Sequence, residues 1–211
     1  MVKIENYIIT NYDIELESEF YESTSEKDSA IILCHPDPRM GGNFYNNVIS
    51  GIFEKSINQD ISCLRFNFRG VGRSTGNLSN GSGEHSDVKA CIDYLIEKLG
   101  VDKIFLCGYS FGAAIGCSTI NYSDKIIGFA AISLPFDLYN RKYEDLSQTE
   151  KPKLFIQGDR DSFIPLSNFE KHYASYQDPK SFKVIDGADH LYWSYEGLIA
   201  NEVINFFKSL K

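Results

Sequence analysis

The stretch Gly108-Tyr109-Ser110-Phe111-Gly112 places one hydroxyl between two glycines, where an apolar run (Ile104, Phe105, Leu106, Cys107) meets small residues (Ala113, Ala114, Gly116). A serine at so sharp a strand-to-helix turn takes a strained backbone. Side chains two residues either way would collide, and glycine removes the collision. The hydroxyl then projects beyond the sheet, beside a helix N-terminus whose positive end stabilises developing negative charge. Such a serine needs a base to take its proton and a carboxylate to orient that base. Four histidines are present: His35, His85, His172 and His190. His190 ends VIDGADH, just past the last strand-like run, and is the expected base. In GDRDSFIP, Asp159 and Asp161 follow the preceding run; Asp161 is the favoured carboxylate, and Asp137, after AISLPF, is a third candidate. An oxyanion would be held by the Phe111 N–H and a donor from the loop HPDPRMGG. Prolines have no N–H, so Asp37 is the nearest donor after His35, with its own carboxylate turned away. His35, Tyr109 and Arg69 are the expected substrate-binding side chains. His35 would also orient its loop, and Arg69, with Arg73, would tie a neighbouring glycine-rich loop to the body.

These residues must be positioned by the elements around them. KIENYIITNYDIELESEFYES alternates apolar and polar residues around a turn at Asn11–Asp13, which fits an antiparallel ribbon or a pair of edge strands. Buried-type strands are expected at AIILCHP, SCLRFNFRG, KIFLCGYS, IIGFAAISLP, KLFIQG and SFKVID. Between them lie an amphipathic stretch over about 44–57, a helix with Val88, Cys91, Ile92, Leu95, Ile96 and Leu99 at helical spacing, a helix from about Phe111, a short helix near Ser167–Tyr176 and a closing helix with Val203, Phe206, Phe207 and Leu210 on one face. Glu84 and Asp87 serve the start of the second of these. Strands alternating with helices predict a mostly parallel sheet covered on both faces. Ligand sites in such sheets lie beyond the carboxyl ends of the strands, where each residue named above falls.

The chain of 211 residues is 43% hydrophobic and 24% charged, which suits one domain over residues 1–211 with a sizeable core. A net charge of −8 argues against nucleic acid or anionic membrane as a partner. Five cysteines without a CxxC pair read as small core residues in a reducing compartment. No signal-peptide pattern and no apolar run of membrane-spanning length is present, so a cytoplasmic location is expected. FRGVGRSTG has the spacing G-x-G-x-x-x-G and opens no helix directly, which argues against a dinucleotide site. No metal-ligand spacing occurs, and no cofactor is implied.

In combination, HPDPRMGG, RFNFRGVGRS, GSGE, GYSFGA, GDRDSFIP and GADH resemble a family of small α/β-hydrolase-superfamily proteins, over nearly the whole chain from about Ala30. The resemblance implies the α/β-hydrolase fold and a triad of Ser110, Asp161 and His190. Asp37 departs from the pattern, standing where that family carries a second histidine. Only FDLYNRKYEDLSQTEKP separates two central strands, too short for a helical cap, so the minimal form without a cap domain is expected, with Phe136 and the tyrosines of this segment shading an open pocket. The expected activity is hydrolysis of a small-molecule carboxylic ester or thioester with a small or exposed acyl group. The alternatives are a non-catalytic binding module of the same fold, and a peptidase or acyltransferase using the same three residues.

Overall fold

The alternating N-terminal segment folds as a hairpin. Strands β1 (Ile4–Asn11) and β2 (Ile14–Tyr21) pair antiparallel from Ile4 against Tyr21 to Asn11 against Ile14, around the turn Tyr12-Asp13. The structure, a computed structural model, describes residues 3–139 and 142–211; the side chain of Phe136 lies outside the description. The apolar runs form β3 (Ser29–Cys34), β4 (Ser62–Phe66), β5 (Lys103–Tyr109), β6 (Ile126–Ile132) and β7 (Lys153–Gly158), and β8 (Lys180–Ile185) closes the far edge. The eight strands lie in the order β1-β2-β4-β3-β5-β6-β7-β8. From β4 to β8 every neighbouring pair is parallel; β2 joins β4 antiparallel, so the ribbon extends one edge.

Helices α1 (Asn47–Asn58), α2 (Ser82–Leu99), α3 (Phe111–Cys117), α4 (Lys142–Leu146), α5 (Leu166–Ser175) and α6 (Glu196–Ser209) cover the two faces. Successive strand side chains point to opposite faces, and β3 shows the division. Ala30, Ile32 and Cys34 pack with Val88, Cys91, Ile92 and Leu95 of α2 in one core. Ile31 and Leu33 pack with Val48 and Ile52 of α1 and Val203 and Phe207 of α6 in the other. Each such aliphatic or aromatic side chain contributes roughly 1.5–3 kcal/mol when fully buried. All five cysteines are buried and free.

The amphipathic stretch begins its helix three residues later than its pattern suggests. The Asn46 side chain accepts from the Val48 N–H and caps α1 there, while Asn43 and Tyr45 form a turn closed by the Asn43 side chain. Buried Glu84 serves the start of α2 by accepting from the N–H groups of Ser79 and Gly81. Asp87, one turn further on, instead accepts from Arg69 and Asn11. Arg73 pairs with Glu17, so the glycine-rich loop is tied to both α2 and the ribbon. Between β6 and β7 the described residues form only a 3-10 turn (Phe136–Leu138) and α4, and no cap domain covers the carboxyl edge. No helix among the described residues is long and apolar enough to cross a membrane.

Candidate active site

The turn from β5 into α3 is as tight as its glycines suggest. Ser110 sits at φ 53°, ψ −119°, a conformation that side-chain-bearing residues rarely adopt. A Cβ on Gly108 would lie 2.3 Å from the Gly112 carbonyl oxygen, and one on Gly112 would lie 2.1 Å from the Cys34 carbonyl oxygen. Neither position therefore admits a side chain, and α3 starts hard against the end of β3. Holding a residue in so sparse a region costs on the order of 1–3 kcal/mol. The bond from the Ser110 N–H to the Ile132 carbonyl oxygen on β6 (2.8 Å) anchors the turn.

Two loops then complete a line that begins at the hydroxyl. His190, between β8 and α6, places Nε2 3.1 Å from Ser110 Oγ, and its Nδ1 lies 2.7 Å from Asp161 Oδ2. Asp161, just past β7, is buried and fully engaged. Its Oδ1 accepts from the N–H groups of Phe163 (3.0 Å) and Ile164 (2.8 Å), and its Oδ2 from Ser133 Oγ (2.8 Å) and Gln157 Nε2 (3.0 Å). Burial pushes this carboxyl up, but the bonds from His190, the Ile164 N–H and Ser133 outweigh it and hold the group below the ordinary carboxylate value. Asp161 therefore stays ionised beside the imidazole. With Nδ1–H given to the carboxylate, Nε2 is the acceptor facing the serine, and the line can draw a proton from the hydroxyl.

The other candidate carboxylates point elsewhere. Asp159 accepts from the Gly187 N–H (2.6 Å) and shapes the loop that carries His190. Asp137 lies 3.2 Å from Nε2 of His172 on α5. His85 faces the Ser118 carbonyl oxygen, not the serine hydroxyl.

Phe111 opens α3 and Asp37 lies in the loop after β3; among the described residues the N–H of neither donates to another group. The Asp37 carboxylate turns into its own loop, where it accepts from the Arg39 N–H (2.8 Å), Arg39 Nη2 (2.6 Å) and the Tyr139 hydroxyl (2.6 Å). Burial raises this carboxyl, and the bonds from Arg39 and Tyr139 more than reverse that, so it too remains ionised. Gly42 is required by the same fold: a Cβ there would lie 2.1 Å from the Pro36 carbonyl oxygen.

The three expected substrate contacts are corrected by their placement. His35 is fully buried; its Nδ1–H donates to the Pro36 carbonyl (2.7 Å) and its Nε2 accepts from the Phe68 N–H (3.1 Å). Burial lowers its pKa to about 4. It is a neutral brace of the loop, with no ring nitrogen left for substrate. Tyr109 is the last residue of β5, and its side chain enters the core under α1 and α6. Its hydroxyl donates to the His190 carbonyl oxygen, so it supports the histidine loop from beneath. Arg69 is held by Asp87 through its Nε and Nη2 and by no group of the site.

Besides Gln157, two side chains of the site were not singled out from the sequence. Ser133, directly after β6, is buried at φ 47° and donates to Asp161; Tyr192, two residues past His190, shares a 2.6 Å bond with Ser133 and accepts from the Gly158 N–H (2.9 Å). The position directly after a central strand marks Ser133 as a residue of the carboxyl edge, but not that its hydroxyl turns inward. Among the described residues, no group of three His, Cys, Asp or Glu side chains is placed to hold a metal ion.

An eight-stranded, mostly parallel sheet with a strained serine between strand and helix, and no cap, defines the alpha/beta hydrolase class. The chain belongs to that family: the alpha/beta hydrolase domain matches residues 27–198. An uncharacterized protein of Rickettsia prowazekii is 30% identical over 189 residues, covering 84% of this chain and 77% of its own. Among solved structures, an alpha-beta serine hydrolase homologue from Coxiella burnetii superposes with a TM-score of 0.86 at 29% identity, covering 97% of each chain. A serine hydrolase without a lid from Xanthomonas campestris shares the fold at TM-score 0.88 and 20% identity, over 98% of this chain and 94% of that one.

Proposed function

We propose that this chain is a serine hydrolase that cleaves carboxylic esters or thioesters of small or exposed acyl groups through an acyl-enzyme. The observation that carries the reading is the hydrogen-bonded line Ser110–His190–Asp161, with its 3.1 and 2.7 Å links, at the carboxyl edge of the sheet. In this reading Ser110 Oγ attacks the acyl carbon while His190 Nε2 takes its proton. The oxygen of the tetrahedral intermediate is held by the Phe111 N–H and the Asp37 N–H, where the positive end of α3 favours its charge. His190 then gives the proton to the departing alcohol or thiol. Water enters on the same side, loses a proton to His190 and bonds to the acyl carbon; the bond to Ser110 Oγ then breaks, His190 returns the proton to that oxygen, and the acid departs. Asp161 keeps Nδ1 protonated and stabilises the imidazolium, and no proton passes to it.

The test is steady-state hydrolysis of p-nitrophenyl acetate and of an acetyl thioester by the parent chain and Ser110→Ala. The expected outcome is turnover by the parent and a fall of at least about 10³-fold in the variant. Equal rates in parent and variant would remove Ser110 from the reaction and with it this reading.

A further inference from the structure

Against Phe111, the residue after the nucleophile, lies a cleft of about 340 Å³, walled by the segment Asp37–Arg39, Leu78, Leu138 and Tyr139 and edged by Asn80 and Glu84; Ser110 itself is not in its wall. His190 is not part of its wall, and neither are Tyr109 and Phe163, the two rings that pack on the imidazole. This asymmetry assigns the two sides of the site. The imidazole that returns a proton to the leaving group must face the leaving group. A cleft that borders Phe111 and Asp37 but not His190 is therefore on the acyl side.

The roof of the cleft is a clasp between distant parts of the chain. The Tyr139 ring meets the Phe111 ring edge-on with centroids 5.2 Å apart, its hydroxyl donates to Asp37 Oδ2, and the Arg39 guanidinium lies 5.8 Å from its centroid. Arg39 is bound to the same carboxylate, so Asp37 holds tyrosine and arginine together. A histidine at this position, as in the family the sequence resembles, would offer Arg39 no counter-charge.

The charges of the cleft say what it accepts. Among the described residues that line it, the one cation, Arg39, is engaged by Asp37, and the second carboxylate, Glu84, accepts from Ser79 and Gly81 at the start of α2. An acyl chain ending in a carboxylate would find the one guanidinium already paired with Asp37 and a buried carboxylate, Glu84, behind the edge, whereas Phe111, Leu138, Leu78 and Pro38 offer apolar walls.

We propose that this cleft is the acyl site, that it takes an uncharged apolar acyl group, and that Tyr139, clasped by Asp37, sets the acyl length admitted. The proposal rests on the reading of Ser110 and His190 given above.

The experiment measures kcat/KM for two ester series. One varies the acyl chain from acetyl to decanoyl on p-nitrophenol, with a succinyl monoester as the anionic member; the other varies the alcohol on a fixed acetyl group. Proteins are the parent, Tyr139→Ala, Tyr139→Phe and Leu138→Trp, each first checked for a fluorophosphonate adduct on Ser110. Tyr139→Ala is expected to raise the ratio of long to short acyl esters by about tenfold or more, since each methylene in an apolar pocket is worth about that factor. Leu138→Trp is expected to lower it, Tyr139→Phe to lie between parent and Tyr139→Ala, and the alcohol series to be unchanged in all. The succinyl ester is expected to be the poorest substrate of its length. Identical acyl profiles in parent, Tyr139→Ala and Leu138→Trp, or a shift confined to the alcohol series, would overturn the acyl assignment. A Tyr139→Phe profile equal to the parent's would overturn the part given to Asp37. Absence of the Ser110 adduct in the parent would instead overturn the catalytic reading.

Discussion

The loops after β3 and β8 each carry a histidine at the carboxyl edge of the sheet, and their surroundings give the two rings opposite chemistry. His35 meets a carbonyl and a backbone N–H with no solvent access, so burial decides its state and it remains neutral. His190 meets a buried carboxylate on one nitrogen and a serine hydroxyl on the other, and keeps partial contact with solvent. A histidine between backbone groups braces a loop; one between a carboxylate and a hydroxyl can cycle a proton. Position after a strand does not distinguish the two, whereas the partners do.

The sharpest way to break this contrast is to remove each ring in turn. His190→Ala is expected to lower ester turnover by at least about 10³-fold while the thermal midpoint stays near the parent's. A variant with a tenth of the parent's kcat would dissolve the distinction. His35→Ala is expected to act on stability instead. It leaves the Phe68 N–H and the Pro36 carbonyl without their partner, at about 1–3 kcal/mol for the buried N–H. The denaturant midpoint should fall accordingly, and the remaining folded protein should still acylate at Ser110.

The pH dependence of stability sharpens the same comparison. The folded pKa of His35, about 4, lies below its ordinary 6.5, so the unfolded chain binds the extra proton between those values. Stability is therefore lost as pH falls from 6.5 towards 4, by up to roughly 3 kcal/mol. Asp37 and Asp161, both held below their ordinary 3.8, add their losses only at lower pH. Urea unfolding of the parent against His35→Gln at pH 7, 5.5 and 4.5 reads this directly. Parallel slopes in the two proteins would show that His35 is not the buried neutral group described.

The smallest expected effect concerns Ser133. Ser133→Ala removes one donor from the Asp161 carboxylate, which makes that group more basic and strengthens its pull on the imidazole proton. Tyr192 also loses this partner, so the carboxylate is seated less firmly, and turnover is expected to fall about tenfold, with the acid limb of the pH–rate profile moving to higher pH. An unchanged limb with reduced rate would mean that the hydroxyl only fills space.

How much of this was legible in the sequence follows from how local each feature is. The order of strands and helices, the hairpin at Tyr12-Asp13 and the tight turn around Ser110 are written in short stretches, because alternation, apolar runs and paired glycines act over a few residues. The positions of Asp161 and His190 were legible for the same reason: each lies in the short loop that follows a strand, three residues past β7 and five past β8. Sheet order brings those loops together, and it also brings Ser133 beside Asp161, but nothing in the run AISLP marks that hydroxyl as an inward donor. The clasp between Asp37 and Tyr139 joins positions 102 residues apart and has no local signature. Tyr109 misled because the residue before the serine belongs to β5, whose alternation turns its ring into the core. Arg69 ties its loop to the body, as expected, but is no substrate contact, because Asp87 turns from the helix start to hold it.

The central claim is that Ser110 is an activated nucleophile, and intact-mass labelling with a fluorophosphonate tests it without knowledge of the substrate. The account predicts one adduct on the parent, mapped to Ser110, and none on Ser110→Ala or His190→Ala under the same conditions. A folded parent chain that takes up no label, or one that labels equally well without His190, would contradict it.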